Sequence, residues 1–306
     1  MPDSYISLNP YMERTPLKPL FVYITPILAG FIGAGIVIGF ITIQLPKQPQ
    51  SQVAAVLPVG DLLHYTFNSP GVLTESGTLA ESTSPYWWLN SGGKLIMEGF
   101  VGKTIQGELA TLDIWRIRYF LANPADTDNG YHPQNLLRLI TKSSAGNQRV
   151  EALFKIEKDN WSKSPNRNAS NGLLLMSRYL DGNNLYYAGL RVDGTAIIKK
   201  KYQGSYYTIA QKEIFPGSYV EGGATNLIPH REWLGLRVEN TEQQDGSVLI
   251  SLFMRRNGTT SWTKILEAVD NGSSYGGQAI IEKGHAGIRT DFMDVSFESF
   301  KFEALP

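Results

Sequence analysis

Between Lys18 and Lys47 the chain carries no charge at all, from Pro19 to Pro46. No other part of it looks like this, and the stretch constrains the fold before anything else does. A bilayer's hydrocarbon core is about 30 Å thick, and about 20 apolar residues of helix cross it. Phe21 to Ile43 supplies that length. So read, residues 1–18 are a cytoplasmic tail, 19–46 a transmembrane helix, 47–59 a linker rich in Gln, Pro and Ser, and 60–306 one large module. A cleaved secretory signal is the rival, because Ser51-Gln-Val-Ala-Ala55 has the small residues of a cleavage site. Signal h-regions are only about 7–15 residues long, which favours an uncleaved anchor. A buried soluble helix would need a polar face, and none is present.

Arg14 and Lys18 precede the stretch and only Lys47 follows it closely. The positive-inside rule therefore places the amino terminus in the cytoplasm and the module outside, at the cell membrane. Gly35-Ile-Val-Ile-Gly39 matches the GxxxG packing pattern and implies a homodimer through Gly35 and Gly39. The plainer reading is that glycine is common in membrane helices.

The chain has no cysteine, which excludes disulfides, thiolate metal sites and cysteine nucleophiles. Lys plus Arg and Asp plus Glu both number 28, so no global field draws nucleic acid. His64, His132, His230 and His285 are scattered, and none forms a zinc-type pair. Asn160, Asn168, Asn257 and Asn271 open N-x-[ST] sequons that suit a glycosylated exterior, although chance alone supplies two or three, roughly.

From residue 60 onward, short strand-like runs alternate with turn residues. They open at Leu62–Phe67, include Ile114–Leu121, Val150–Glu157, Leu173–Tyr179, Leu185–Val192, Thr195–Tyr202 and Ser205–Ala210, and close at Met293–Phe302. About fifteen strands in one module predict an all-β, two-sheet antiparallel sandwich or jelly roll. Asp193-Gly194 and Gln203-Gly204 read as two-residue hairpin loops. Asn123–Asn135 and Pro216–Pro229 read as longer loops of the kind that carry specificity.

Leu62-Leu-His-Tyr-Thr-Phe67, Gly172-Leu-Leu-Leu-Met-Ser-Arg-Tyr179, Asn184-Leu-Tyr-Tyr-Ala-Gly-Leu190 and the closing Gly287-Ile-Arg-Thr-Asp-Phe-Met-Asp-Val-Ser-Phe297 resemble strands of laminin-G-like and other concanavalin A-like lectin/glucanase jelly rolls. The resemblance spans residues 60–304 and implies a module that binds or cleaves carbohydrate. It also implies a structural calcium at Asp291 and Asp294, with an ordinary surface Asp as the alternative. The glycosidase Glu-x-Asp-x-(x)-Glu strand is absent. The lyase strand Tyr-Phe-Lys-Ala-Gly-x-Tyr is matched only at Ala188 and Gly189, with Tyr187 in place of its Lys and Arg191 in place of its Tyr. Asp126-Thr-Asp-Asn-Gly130 is either a calcium loop or, in line with Asp and Asn preferences, an Asx-rich turn.

Two-residue loops would pair Tyr187 with Lys200 and Lys200 with Tyr207. One sheet face then gathers Tyr187, Arg191, Lys200, Tyr202 and Tyr207, with Arg178 from the neighbouring strand. Rings and cations together suit a polysaccharide, an acidic one above all, whose carboxylate Arg grips bidentately. A solvated sheet side with cross-strand Tyr–Lys pairs is the other reading of the same residues. Three functions stand open at this stage. They are a membrane-anchored glycan-binding module, a polysaccharide lyase or glycoside hydrolase with nonstandard catalytic residues, and a protein-binding adhesion domain.

Overall fold

The computed structural model describes residues 60–306. The stretch 19–46, with Gly35 and Gly39, and the linker 47–59 lie outside the described residues. Among the described residues no helix is long and apolar enough to cross a membrane.

Numbered along the chain, sixteen strands among the described residues form two antiparallel sheets. Sheet A runs β14 (Thr263–Asp270), β13 (Val248–Arg255), β12 (Leu234–Glu242), β7 (Gln148–Asp159), β16 (Met293–Ala304), β5 (Val101–Lys103), β4 (Lys94–Glu98) and β2 (Gly71–Thr74). The short β1 (Asp61–Tyr65) also pairs with β16. Sheet B runs β11 (Ser205–Glu213), β10 (Thr195–Tyr202), β9 (Asn184–Arg191), β8 (Gly172–Asp181), β15 (Gly284–Asp291), β6 (Leu136–Ala145) and β3 (Trp87–Ser91).

Alternation builds the core. In β7, Val150, Ala152, Phe154 and Ile156 point inward, while Glu151, Lys155 and Glu157 stay partly exposed. That is the period of two expected where one sheet face meets a core and the other meets water. At one end Trp87 packs edge-on against Phe300, with ring centres 4.7 Å apart, beside Tyr65 and Phe67. Such a pair contributes about 0.5–1.5 kcal/mol beyond its area. Sheet B breaks the alternation: Leu173 to Tyr179 of β8 is buried on both faces. Its outward residues Leu174, Met176 and Tyr179 join Ile140, Leu185, Tyr187 and Ile197 in a second apolar layer, outside the sandwich.

Two expectations are corrected. Ile114–Ala122 is an α-helix, α1, not a strand. Asp113 caps it by accepting a hydrogen bond from the Trp115 backbone N–H at 2.8 Å, and Trp115 and Tyr119 bury one side. Its exposed side is apolar too, so the helical period was hidden. The β9–β10 loop holds three residues, not two. Ala196 pairs with Leu190 and Lys199 with Tyr187, one position off the expected register. Gly194, at φ 79°, takes the left-handed position that closes a three-residue loop. The β10–β11 loop is the expected two-residue one, with Gln203 at φ 48° and Gly204 at φ 84°, and Lys200 does pair with Tyr207.

Candidate functional site

Shifting a strand by one residue moves every side chain to the other face. Here it brings Lys199 and Lys201 outward beside Tyr187 and sends Lys200 into the sandwich. The Lys200 Nζ lies 3.0 Å from Asp270 Oδ2, with both side chains 0% exposed. It donates to the Gln278 carbonyl at 2.6 Å, and Tyr186 Oη donates to Asp270 Oδ2 at 2.6 Å. Tyr202 packs beside this pair, its ring centre 4.9 Å from Lys200 Nζ. Tyr207 packs so closely on Gly276 that a Cβ there would meet its ring at 2.1 Å. Arg178 sits at a bulge of β8 at φ 44° and donates to Ile280 O at 2.8 Å and Asn147 Oδ1 at 3.0 Å. Of the six residues expected on one face, Lys200, Tyr202, Tyr207 and Arg178 therefore brace the loop 271–282 and its surroundings.

The outer face of sheet B holds the other two, in different company. Tyr187 lies across from Met176 on β8 and Lys199 on β10. On β15, Arg289 lies across from Leu174 on one side and Arg138 of β6 on the other. Its Nε donates to both oxygens of Asp291, at 2.9 and 3.2 Å. Its Nη1 reaches the Tyr206 hydroxyl at 3.5 Å, and its guanidinium lies 5.1 Å from the Tyr187 ring centre. The Tyr187 and Tyr206 rings stack 6.1 Å apart.

These groups border a cleft of about 250 Å³, floored by Leu174 and Ile197 and walled by Lys199, Tyr206, Arg289 and the segment Asn166, Asn168, Ser170, Asn171. Gly189 separates Leu174 from Ile197 in the sheet; a Cβ there would meet the Leu173 carbonyl oxygen at 2.1 Å. The walling loop is firmly tied. Ser164 and Asn166 donate to Asp126 Oδ1, at 2.5 and 2.9 Å, and Ser162 donates to Asp128 Oδ1 at 2.7 Å. Arg191 does not face the cleft as an open cation: it donates to Ala169 O at 2.8 Å and pairs with Asp193 at 2.7 Å.

Charge dominates this face. Burial opposes ionisation of Tyr206, but Arg289, Lys201 and Arg138 outweigh it and hold the hydroxyl at about 8. Burial, then Arg191 and Arg289, bring the Lys199 ammonium down to about 8. Burial and the neighbouring Tyr206 push Tyr187 upward. The cleft thus presents cations, two phenols and neutral amides over an apolar floor. Sequence reasoning missed Arg289, Tyr206 and Lys199; a three-residue reading of Val192-Asp193-Gly194 would have found Lys199.

The calcium expectation does not find a set of ligands. Asp291 is committed to Arg289. Asp294 accepts from the Gly107 N–H at 2.6 Å, Gln134 Nε2 at 2.9 Å and Asn160 Nδ2 at 2.8 Å. Among the described residues no three His, Cys, Asp or Glu side chains converge on one point. Asp126 and Asp128 serve the loop contacts above, as an Asx-rich turn does. The Asn160 sequon is corrected as well: its side chain is buried against Asp294.

No family model and no curated protein matches the chain. Solved structures do resemble it in part. A carbohydrate-binding module, CBM66 from Bacillus subtilis, is 15% identical over 55% of this chain and 82% of its own, with a TM-score of 0.39. A xylan beta-1,4-xylosidase from Bacillus halodurans C-125 is 11% identical over 85% of this chain and 41% of its own, at 0.41. The VIP36 exoplasmic/lumenal domain in its Ca2+/Man-bound form is 8% identical over 76% of this chain and 89% of its own, at 0.40. The chain thus spans about two fifths of the xylosidase. None of these likenesses assigns it a ligand or a reaction, and the sandwich rests on its own strand pairings.

Proposed function

We propose that the outer face of sheet B binds an acidic polysaccharide, in a concanavalin A-like jelly roll held outside the cell membrane by residues 19–46. One observation carries the reading: Arg289 and Lys199 share an open cleft with stacked Tyr187 and Tyr206 and a wall of Asn and Ser side chains. Sugar rings have apolar C–H faces that lie on aromatic rings, hydroxyls that need amide and hydroxyl partners, and, in uronates, a carboxylate that needs a cation. About 250 Å³ suits one or two sugar residues, with the rest of a chain running across the sheet. Association through Gly35 and Gly39 would present two such clefts at once.

The test is titration of the full chain with a uronate oligosaccharide and with its carboxyl-reduced, neutral counterpart. Tight binding of the acidic form alone supports the reading. Equal affinity for both, or for neither, contradicts it.

A second reading, cleavage of the same glycan, is favoured by one observation: the Tyr206 hydroxyl lies in the cleft 3.5 Å from Arg289 Nη1, and the cations around it favour its ionised form. A phenolate can take the proton alpha to a uronate carboxylate that a guanidinium neutralises; the electron pair left behind forms the carbon–carbon double bond and expels the glycosidic oxygen, which takes its proton from water. Incubation with saturating polyuronate then yields ultraviolet-absorbing unsaturated ends, at a rate that rises as pH passes 8 and is lost in Tyr206→Phe. Binding without such product leaves the first reading alone.

A further inference from the structure

Helix α1 turns the wrong side to water. Among the described residues, thirteen large apolar side chains are exposed, and five of them, Leu112, Ile114, Ile117, Phe120 and Leu121, fall within residues 112–121. Leu112 is 88% and Leu121 76% exposed. Ile114, Ile117 and Leu121 follow the i, i+3, i+7 spacing of one helix face, with Phe120 beside Ile117. An ordinary surface helix turns such a stripe inward and its polar residues outward.

The helix is not loose. The Tyr119 hydroxyl donates to Glu75 Oε2 at 2.5 Å and accepts from the Gly92 N–H at 2.8 Å. A Cβ at Gly130 would lie 2.0 Å from the Arg116 carbonyl, so the following loop packs directly on the helix backbone. The apolar face is therefore presented rigidly. The helix itself contains Arg116 and Arg118 and no acidic residue, and its cap Asp113 is paired with Lys94 at 2.5 Å. Arg116 stacks 3.6 Å from the Tyr131 ring centre, which leaves Arg118 as the exposed cation of α1. Arg118 is exposed between the apolar residues and their buried counterparts, with its guanidinium 4.6 Å from the Trp115 ring centre.

We infer that α1 lies in the interface of an anionic lipid bilayer, with Leu112, Ile114, Ile117, Phe120 and Leu121 among the acyl chains and Arg118 at the headgroups. Apolar residues on one face flanked by basic ones are the marks of a helix that rests on a membrane. Lipid is favoured over a second protein because the chain carries its own uncharged stretch at 19–46, joined through 47–59. Those thirteen linker residues reach at most about 45 Å, so a bilayer is always within the module's range. For that nearness alone the inference rests on the anchored reading above. Trp115 packs near Gly93 and Pro133, beside the β3–β4 turn, whereas the cleft lies over β8 to β11 and β15.

Because the chain lacks cysteine, one engineered thiol is a unique label site. The full chain carrying Leu121→Cys, or Ser205→Cys at the β10–β11 turn as control, is labelled with an environment-sensitive fluorophore. It is then reconstituted in phosphatidylcholine–phosphatidylglycerol vesicles containing spin-labelled lipid. The expected result is strong quenching at position 121, weaker in phosphatidylcholine alone, and none at 205. Adding Ile114→Asp and Ile117→Asp, both at exposed positions, abolishes it with the melting temperature unchanged. No quenching at 121 in protein that co-floats with the vesicles overturns the inference. A blue-shifted but unquenched label also overturns it and shows the face covered by protein. Flotation before and after alkaline carbonate separates the two readings: quenching with complete loss on washing refutes the anchor and keeps the docking helix. A chain that never floats refutes both.

Discussion

Lys199 and Lys200 are neighbours in sequence and opposites in environment, and the difference is a single step of register. Lys199 looks into the cleft beside Arg289. Lys200 closes a buried ion pair with Asp270. Lys199→Gln is expected to weaken acidic-glycan binding about tenfold, the effect of losing one charged hydrogen bond, with little change in melting temperature. Lys200→Gln leaves Asp270 buried without its cation, with only the Tyr186 hydroxyl and the Gly272 N–H to stabilise it, and should cost about 3–5 kcal/mol of stability, read by denaturant titration. The cleft also titrates. Raising pH through about 8 removes a positive charge from Lys199 and adds a negative one to Tyr206. Both changes disfavour an anion, so binding measured at pH 7 should fall markedly by pH 9. Affinity that stays level across that window contradicts the assignment of these two groups.

At the scale of elements, the strands of sheet A were legible because they alternate. β7 shows its inward Val150, Ala152, Phe154 and Ile156 at every second position. Helix α1 was not legible, since apolar residues on both its buried and exposed sides erase the helical period. The β9–β10 loop was not legible either, because Asp-Gly suits a two-residue loop as well as the end of a three-residue one. That one ambiguity transferred Lys200, Tyr202 and Tyr207 to the wrong face on paper. Arg289 was invisible for another reason. It reaches the cleft only because β15 is inserted between β6 and β8, a pairing between distant parts of the chain. Gly194→Ala tests the loop directly. A Cβ there would lie 2.1 Å from the Phe215 carbonyl oxygen, at φ 79°. The loss should exceed about 1 kcal/mol in a denaturant melt.

The molecule as a whole joins an uncharged N-terminal stretch to a cysteine-free sandwich whose second apolar layer lies outside the two sheets. That outer layer gives the cleft on sheet B an apolar floor rather than a plain solvated side. The carboxylates of Asp291 and Asp294 are satisfied by Arg289 and by three N–H donors, respectively. EDTA is therefore expected to leave the melting temperature unchanged; a fall would reveal a bound ion that stabilises the fold.

In the proposed function the outer face of sheet B, not its inner face, meets the glycan. Calorimetric titration of the full chain with a uronate oligosaccharide, in Lys199→Gln and in Tyr207→Phe, distinguishes the two faces. Binding is expected to be about tenfold weaker in Lys199→Gln and of wild-type affinity in Tyr207→Phe. Loss of binding in Tyr207→Phe with none in Lys199→Gln would place the ligand elsewhere.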